Sequence, residues 1–426
     1  MKIEEILRKG FWTVFARGIG AGIMFVITIF FARWLGVEDY GIFYLGLAHI
    51  NILAVFSRWG TDQVLLKQVG IYWKNNLEIA KAYSIVSIKL VLIISLIFAL
   101  LLSSLSEVIA GEIFNKPKFS EVLFWFGPLI IFTSVNFTLA ESYKGTGRFI
   151  LSTYLQNVIV SLIVIFLGSI FYLLGKFNLI VAVQIFSIGS LIALIVSASL
   201  WKKIFNTNLK HSIKIIQIIK QGWPMLLITS GGLVLLWSDI LILGFLGSAD
   251  ELGVYSVASR VVGVTSLIVV AINSITAPKY ATLYNESDIT GLKKLSRNSF
   301  KISLFIGLIS TTIIIIFSGW ILKIFGDEFI AGVNILIILS FGQGCNICLG
   351  STGYLLSMTG KEEIMKKIML SIAIINIIFS VLLFKIFGAY GIALSTTISI
   401  IIWKFWSLIE IKKHLGFWIT SLKKIN

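Results

Sequence analysis

Apolar stretches of about 20 residues, the length a helix needs to cross a hydrocarbon core about 30 Å thick, recur from one end of the chain to the other. Only short connections separate them. The 426 residues are 57% hydrophobic and 13% charged, where a soluble globular chain carries about 25% charged residues. An apolar solvent is the environment that tolerates this imbalance over a whole chain. A membrane β-barrel would show alternating segments of about ten residues, and runs such as Leu90–Leu102 and Ile313–Phe317 do not alternate. The expectation is an all-α polytopic membrane protein without a separate soluble domain.

Spans are predicted at 10–33, 41–66, 82–106, 119–143, 150–174, 178–201, 222–246, 253–278, 299–322, 331–357, 366–387 and 389–411. The start, MKIEEILRKG, carries two Glu among its basic residues. The apolar run after it exceeds the h-region of a signal peptide, so it reads as a retained first span. The net charge is +16, which in a soluble protein would suggest nucleic acid. Here the basic residues are dispersed among loops, and nucleic acid is not an expected partner. Sorting Lys and Arg by alternate connections puts 26 on one side. The other side holds only Arg33, Lys116, Lys118, Lys176, Lys323 and Lys385. Positive charge stays on the cytoplasmic side. Both termini are therefore expected in the cytoplasm, in a multi-pass protein of the cell membrane with an even number of spans, about twelve.

The two halves of the chain repeat each other. Leu35–Gly36 with Asp39–Tyr40–Gly41 recurs as Leu246–Gly247 with Asp250 and Gly253. Ile113–Phe114 recurs as Ile324–Phe325, Thr146–Gly147–Arg148 as Thr359–Gly360–Lys361, and Gly175 as Gly388. The offset holds at 211 to 213 residues. Six spans per copy is even, so the copies run in parallel, one of the two repeat designs of transporters. The predicted organisation is a six-helix lobe at 1–203, a cytoplasmic interfacial linker at 204–221 and a second six-helix lobe at 222–426. In the linker Leu209, Ile213 and Ile216 share a helical face; an interfacial helix and a plain basic linker are both open.

Ionisable side chains at membrane depth face a cavity or a partner by default. Arg17, Arg58, Lys89, Arg260 and Lys404 are the deep cations, and Asp239 is the deep acid. Asp62 and Glu141 lie near the cytoplasmic ends of their spans and read as structural. Arg17 could equally snorkel to headgroups. The excess of buried cations suits a water-filled cavity for an anionic ligand, since arginine presents a planar fork that matches phosphate oxygens. The alternative is an internal pair, Asp239 with Arg260. Asn51, Asn136, Gln156, Asn157, Asn273, Gln343, Asn346 and Asn376 add hydrogen-bonding capacity, mostly for joining helices.

Other motifs fail. Cys345 and Cys348 have redox spacing but lie inside an apolar span, where Cys packs as a small hydrophobe. Thr359–Gly360–Lys361 resembles the end of a phosphate loop, but Leu355 and Glu362 break the pattern. His49, His211 and His414 lack metal spacing. Gly18 and Gly22 fit close helix packing. No nucleophile is assembled with a base. The expectation is no enzyme, no metal and no cofactor.

Ala32–Arg33–Trp34–Leu35–Gly36 through Asp39–Tyr40–Gly41 resembles the end of the first span in oligosaccharide flippases. These are the polysaccharide-export (O-antigen-type) members of the multidrug/oligosaccharidyl-lipid/polysaccharide (MOP) exporter superfamily. Asp239–Ile240–Leu241–Ile242–Leu243–Gly244 through Gly253–Val254–Tyr255–Ser256–Val257–Ala258 is similar too, as is Pro278 ending the eighth span. The resemblance extends over nearly the whole chain. It implies a MATE-like fold of two lobes working by alternating access. It implies movement of a polyprenyl-diphosphate-linked oligosaccharide from the cytoplasmic to the outer leaflet for cell-surface polysaccharide. Membrane lipids would be partners, H+ or Na+ candidate coupling ions, and a glycan polymerase or glycosyltransferases candidate protein partners. On this reading Arg17, Arg58, Lys89, Arg260 and Lys404 bind substrate and Asp239 couples the ion. The second reading is a cation-coupled multidrug or metabolite antiporter. Drug-exporting relatives tend to use carboxylates in the first lobe, and the first span here has none.

Overall fold

The computed structural model of the chain describes residues 3–207 and 213–420, with side chains from Gly18 onward except at 228, 231, 234 and 235. Every regular element among these residues is helical. Ten of the helices are long and apolar enough to cross a membrane, which makes the chain a multi-pass membrane protein. Cα packing divides it into two compact units, residues 1–233 and 234–426.

The first unit begins with α1 (Ile3–Arg58), α2 (Thr61–Tyr72) and α3 (Leu77–Ser104). It continues with α4 (Lys118–Gly145), α5 (Phe149–Leu173) and α6 (Leu179–Ile204). α1 has 56 residues, about 84 Å at 1.5 Å per residue, far more than one crossing requires. Its backbone leaves helical geometry at Gly36 (φ 76°, ψ 176°), a conformation glycine adopts without a Cβ penalty. The first two predicted spans are thus two helices joined without a loop. α4 is the centre of this unit and packs against α1, α2, α3 and α6. Leu139 and Tyr143 of α4 share a buried core with Tyr83, Leu155, Trp201 and Phe205. Close packing in α1 falls at Gly20, where a Cβ would sit 3.1 Å from Asn157, and at Gly46, 2.7 Å from Phe126, and not at Gly18 or Gly22, where it would meet open space.

α7 (Ile215–Leu246) starts in the first unit and ends in the second. Residues 208–212, with Leu209 and Lys210 of the expected linker helix, lie outside the described residues. From Ile215 onward the expected linker is already the first turns of α7. The second unit continues with α8 (Ala249–Asn285), α9 (Ile289–Ile316), α10 (Val333–Cys348), α11 (Thr352–Met358), α12 (Glu362–Phe387) and α13 (Ala389–Leu415). α10 and α11 together fill the tenth predicted span. α13 packs against α10, α11 and α12. Pro278 lies inside α8 and does not end it.

Boundaries follow local chemistry. Asn76, Asn178 and Asp288 accept hydrogen bonds from Ile79, Val181 and Gly291 backbone N–H groups and cap α3, α6 and α9. Ser248 and Glu251 form a reciprocal capping box at α8. The repeated Thr–Gly–basic motif is a shared helix terminator. Gly147 and Gly360 both have positive φ, 82° and 72°. The next residue then donates its N–H to a carbonyl five residues back: Arg148 to Tyr143 at 3.1 Å, Lys361 to Leu356 at 3.0 Å. This is the Schellman pattern, built twice. The other repeated glycine pair diverges, because Gly36 bends one helix while Gly247 precedes a capped new one.

Candidate functional site

In the first unit the polar centre forms where α1 stops. Trp59 (φ 49°) and Gly60 (φ 68°) break the helix, and Asp62 enters the first turn of α2. The break is held by a backbone contact with α7. A Cβ on Gly60 would lie 2.2 Å from the Gly222 oxygen, and a Cβ on Gly222 would lie 2.2 Å from the Trp59 oxygen. Trp59 and Trp223 pack beside it with ring centroids 5.5 Å apart. Across the break Arg58 Nε faces Asp62 Oδ2 at 3.3 Å, with side-chain exposures of 9% and 14%. The guanidinium also lies over the Phe137 ring of α4, 4.6 Å from its centroid. One turn further along α4, Glu141 Oε1 accepts from Lys144 Nζ and, at 3.2 Å, from Gln156 Nε2. Gln156 sits in a π-helical turn, Tyr154–Val158, within α5. Asn136 donates to the Leu155 carbonyl in that turn at 2.9 Å and accepts from Ser197 Oγ at 2.5 Å. The cluster is two cations matched by two carboxylates.

Lys89 is exposed on α3, unlike the buried Arg58. Arg17 falls within α1, but its side chain lies outside the described residues.

In the second unit two separate centres form. Asp239 of α7 is 9% exposed. Its Oδ2 accepts from Tyr255 Oη of α8 at 2.8 Å and Thr396 Oγ1 of α13 at 2.6 Å. Its Oδ1 has no hydrogen-bond partner among the described residues. Beside it Ser238 Oγ donates to Asn376 Oδ1 at 3.0 Å, and Ser395 Oγ to the Asn376 carbonyl at 3.0 Å. Both hydrogen bonds to Asp239 thus come from hydroxyls. Arg260 is half-buried on α8, five residues beyond Tyr255.

Lys404 forms the other centre, eight residues along α13 from Thr396, about 12 Å at helical rise. It is 2% exposed. Its Nζ donates to the Gly350 carbonyl at 2.7 Å and lies 3.5 Å from Thr352 Oγ1. Gly350 (φ 59°) is the break between α10 and α11. The ammonium therefore sits at the C-terminal, negative end of α10. Cys345 and Cys348 are free thiols on α10, and no cluster of three His, Cys, Asp or Glu occurs among the described residues.

Sequence reasoning set Asp62 and Glu141 apart from the site, yet they neutralise Arg58 and Lys144. The i,i+4 spacing of Arg58 and Asp62 is the signal that could have found the first pair.

Fold and site together define a multi-pass helical transporter-type membrane protein with charged groups held inside its spans. The chain belongs to the polysaccharide biosynthesis protein family, whose family model matches residues 6–283, within the MOP exporter superfamily. The MatE family model also matches residues 224–382. An uncharacterized membrane protein of Methanocaldococcus jannaschii, MJ1068, is 26% identical over 445 residues, covering 97% of this chain and 86% of its own length. The protein named "Probable low-salt glycan biosynthesis flippase Agl15" from Haloferax volcanii is 25% identical over 404 residues, covering 93% and 81%. Among solved structures, the lipid II flippase MurJ in an inward closed conformation has a similar fold. Its TM-score is 0.76 at 17% identity, covering 95% of this chain and 87% of that one.

Proposed function

We propose that this protein is a flippase that moves a polyprenyl-diphosphate-linked oligosaccharide from the cytoplasmic to the outer leaflet by alternating access, for cell-surface polysaccharide synthesis. One observation carries the reading. A chain of the polysaccharide biosynthesis family keeps Arg58 inside its span at a helix break, held by a single adjacent carboxylate. A diphosphate offers the guanidinium stronger, bidentate acceptors than Asp62 does. Arg58 and Arg260 are the proposed diphosphate ligands, with Arg17 and Lys89 in support. Lys404, first expected in that set, is assigned instead to the break at Gly350, because its ammonium is already engaged there. Asp239, with one carboxylate oxygen that has no partner among the described residues, is the proposed coupling group for H+ or Na+. Two six-helix lobes, 1–203 and 222–426, would rock about the site. The protein would lie in the cell membrane with both termini in the cytoplasm, beside glycosyltransferases or a glycan polymerase.

The test is translocation in proteoliposomes, read by exposure of a tagged lipid-linked oligosaccharide to an external glycan-modifying enzyme. Transport is expected for the native chain and lost in Arg58→Gln and Arg260→Gln. Intact transport in both variants removes the site assignment. The MatE match over 224–382 favours a second reading, a cation-coupled antiporter. Gradient-driven efflux of an organic cation without glycolipid movement would establish that one instead.

A further inference from the structure

α9 has 28 residues, about 42 Å, against a hydrocarbon core of about 30 Å. Its first turns therefore extend into the headgroup region. The face toward the unit is buried through Leu292, Ser296, Ser299, Phe300, Ser303 and Gly307. The opposite face is ordered by chemistry. Lys294 and Lys301 are exposed and Arg297 is half-exposed, and their i, i+3, i+7 spacing puts them on one stripe. Further along that stripe come Phe305, 67% exposed, and Leu308, 56% exposed.

The chain's C-terminal segment completes the feature. Gly416 (φ 80°) ends α13. Phe417 and Ile419 then bury themselves in a core shared with Leu292 and Tyr280. Trp418 between them stays 42% exposed. Arg297 Nε donates to the Trp418 carbonyl at 3.3 Å, which ties the guanidinium and the tryptophan to one level of the helix. Tryptophan favours the membrane–water interface, and lysine extends its ammonium to that level along an apolar stem. Three cations and an interfacial tryptophan thus stand at the head of an exposed apolar stripe.

We propose that this stripe binds one anionic phospholipid of the leaflet on the basic side. Its phosphate would be held by Lys294, Arg297 and Lys301, with an acyl chain against Phe305 and Leu308. The general excess of loop lysines does not account for the pattern. The repeat-related stretch of α3, 211 to 213 residues earlier, has Lys81 and Lys89, and the Lys81 amine is turned onto the Thr207 carbonyl at 2.5 Å. In the first turn of α12, Lys366 is paired with Glu363 at 3.5 Å.

The experiment measures retention of phosphatidylglycerol against phosphatidylcholine on the purified full-length protein by native mass spectrometry. The native chain is expected to prefer phosphatidylglycerol. Lys294→Gln with Arg297→Gln and Lys301→Gln should lower that preference by about a hundredfold. The double variant Lys294→Gln with Lys301→Gln leaves the Arg297–Trp418 bond intact, so its loss of about thirtyfold cannot come from an unseated C-terminal segment. Lys361→Gln with Lys366→Gln and Lys367→Gln removes the same charge elsewhere and should keep the preference. Equal losses in the two triple variants, or none in either, overturn the proposal. So does a polyprenyl diphosphate probe that displaces all bound phosphatidylglycerol from the stripe.

Discussion

The Nζ of Lys404 lies 2.7 Å from the carbonyl oxygen of Gly350, at the break between α10 and α11. A helix interrupted inside an apolar span leaves carbonyls without partners, and lipid supplies no water to satisfy them. The buried ammonium fills that role. The first unit shows the converse. Its α4 runs unbroken for 28 residues, and the positions 211 to 213 before Lys404 are Leu191, Ile192 and Ala193. One repeat copy has both the lysine and the break, and the other has neither.

Replacing Lys404 by Met should therefore act on the fold. The Gly350 carbonyl would lose its donor inside the bundle, a cost on the order of 1–3 kcal/mol. Thermal unfolding in detergent should show a lowered midpoint, with Lys404→Arg retaining part of the stability. A Met variant with an unchanged midpoint but a raised apparent KM for the lipid-linked substrate would return Lys404 to the ligand set.

Asp62 stands to Arg58 as a tethered anion. Removing it leaves a guanidinium at 9% side-chain exposure beside the Phe137 ring, with no other carboxylate paired to it among the described residues. Breaking a buried pair from one side costs about 3 kcal/mol. Asp62→Asn should thus lower the unfolding midpoint, and added pyrophosphate should restore part of it. Combining it with Arg58→Gln should cost less than the sum of the two, because one pair is removed once. Strict additivity and no response to pyrophosphate would show that Arg58 takes no anion.

The contact of Gly60 with Gly222 gives a steric prediction. Any Cβ at either position meets a backbone oxygen at 2.2 Å, and backbone has little room to yield. Gly60 also carries φ 68°. Gly60→Ala and Gly222→Ala should each destabilise by about 3 kcal/mol or more. Ser at Gly147, equally left-handed but in open space, should cost only about 1 kcal/mol. Expression and thermal unfolding of the three variants in parallel check the ranking.

These centres differ in how far sequence could reach them. Spans were legible because length and apolarity are properties of the stretch itself, and the Thr–Gly–basic repeat because its backbone role needs glycine twice. The fusion of the first two spans was not. A bend at Gly36 with ψ 176° looks in sequence like the glycine of a loop. Depth alone placed Arg58 and Lys404 inside the membrane, but their partners arise at breaks. The left-handed Trp59–Gly60 pair still leaves Asp62 facing Arg58. The acceptor for Lys404 is a main-chain carbonyl, for which no side chain speaks. Asp239 was legible as an isolated buried acid. Its hydroxyl partners, Tyr255 and Thr396, come from helices 16 and 157 residues away.

Those partners define the last prediction. Two hydroxyl donors meet on Oδ2 while Oδ1 is left without a partner among the described residues. A buried carboxylate oxygen in that condition is costly. A proton on Oδ1, or a sodium ion shared with neighbouring oxygens, removes the cost. If Asp239 couples transport, the native protein in proteoliposomes should move its glycolipid faster under an imposed H+ or Na+ gradient. Asp239→Asn presents a neutral amide of the same shape. It should lose the response to the gradient while still exchanging labelled substrate at equal concentrations on both sides. Thr396→Val and Tyr255→Phe each remove one of the two hydroxyl donors and keep the acid. Each should leave the gradient response in place but shift the ion concentration that gives half of it. A gradient response that survives in Asp239→Asn would move the coupling group elsewhere and leave Asp239 as a bond between α7, α8 and α13.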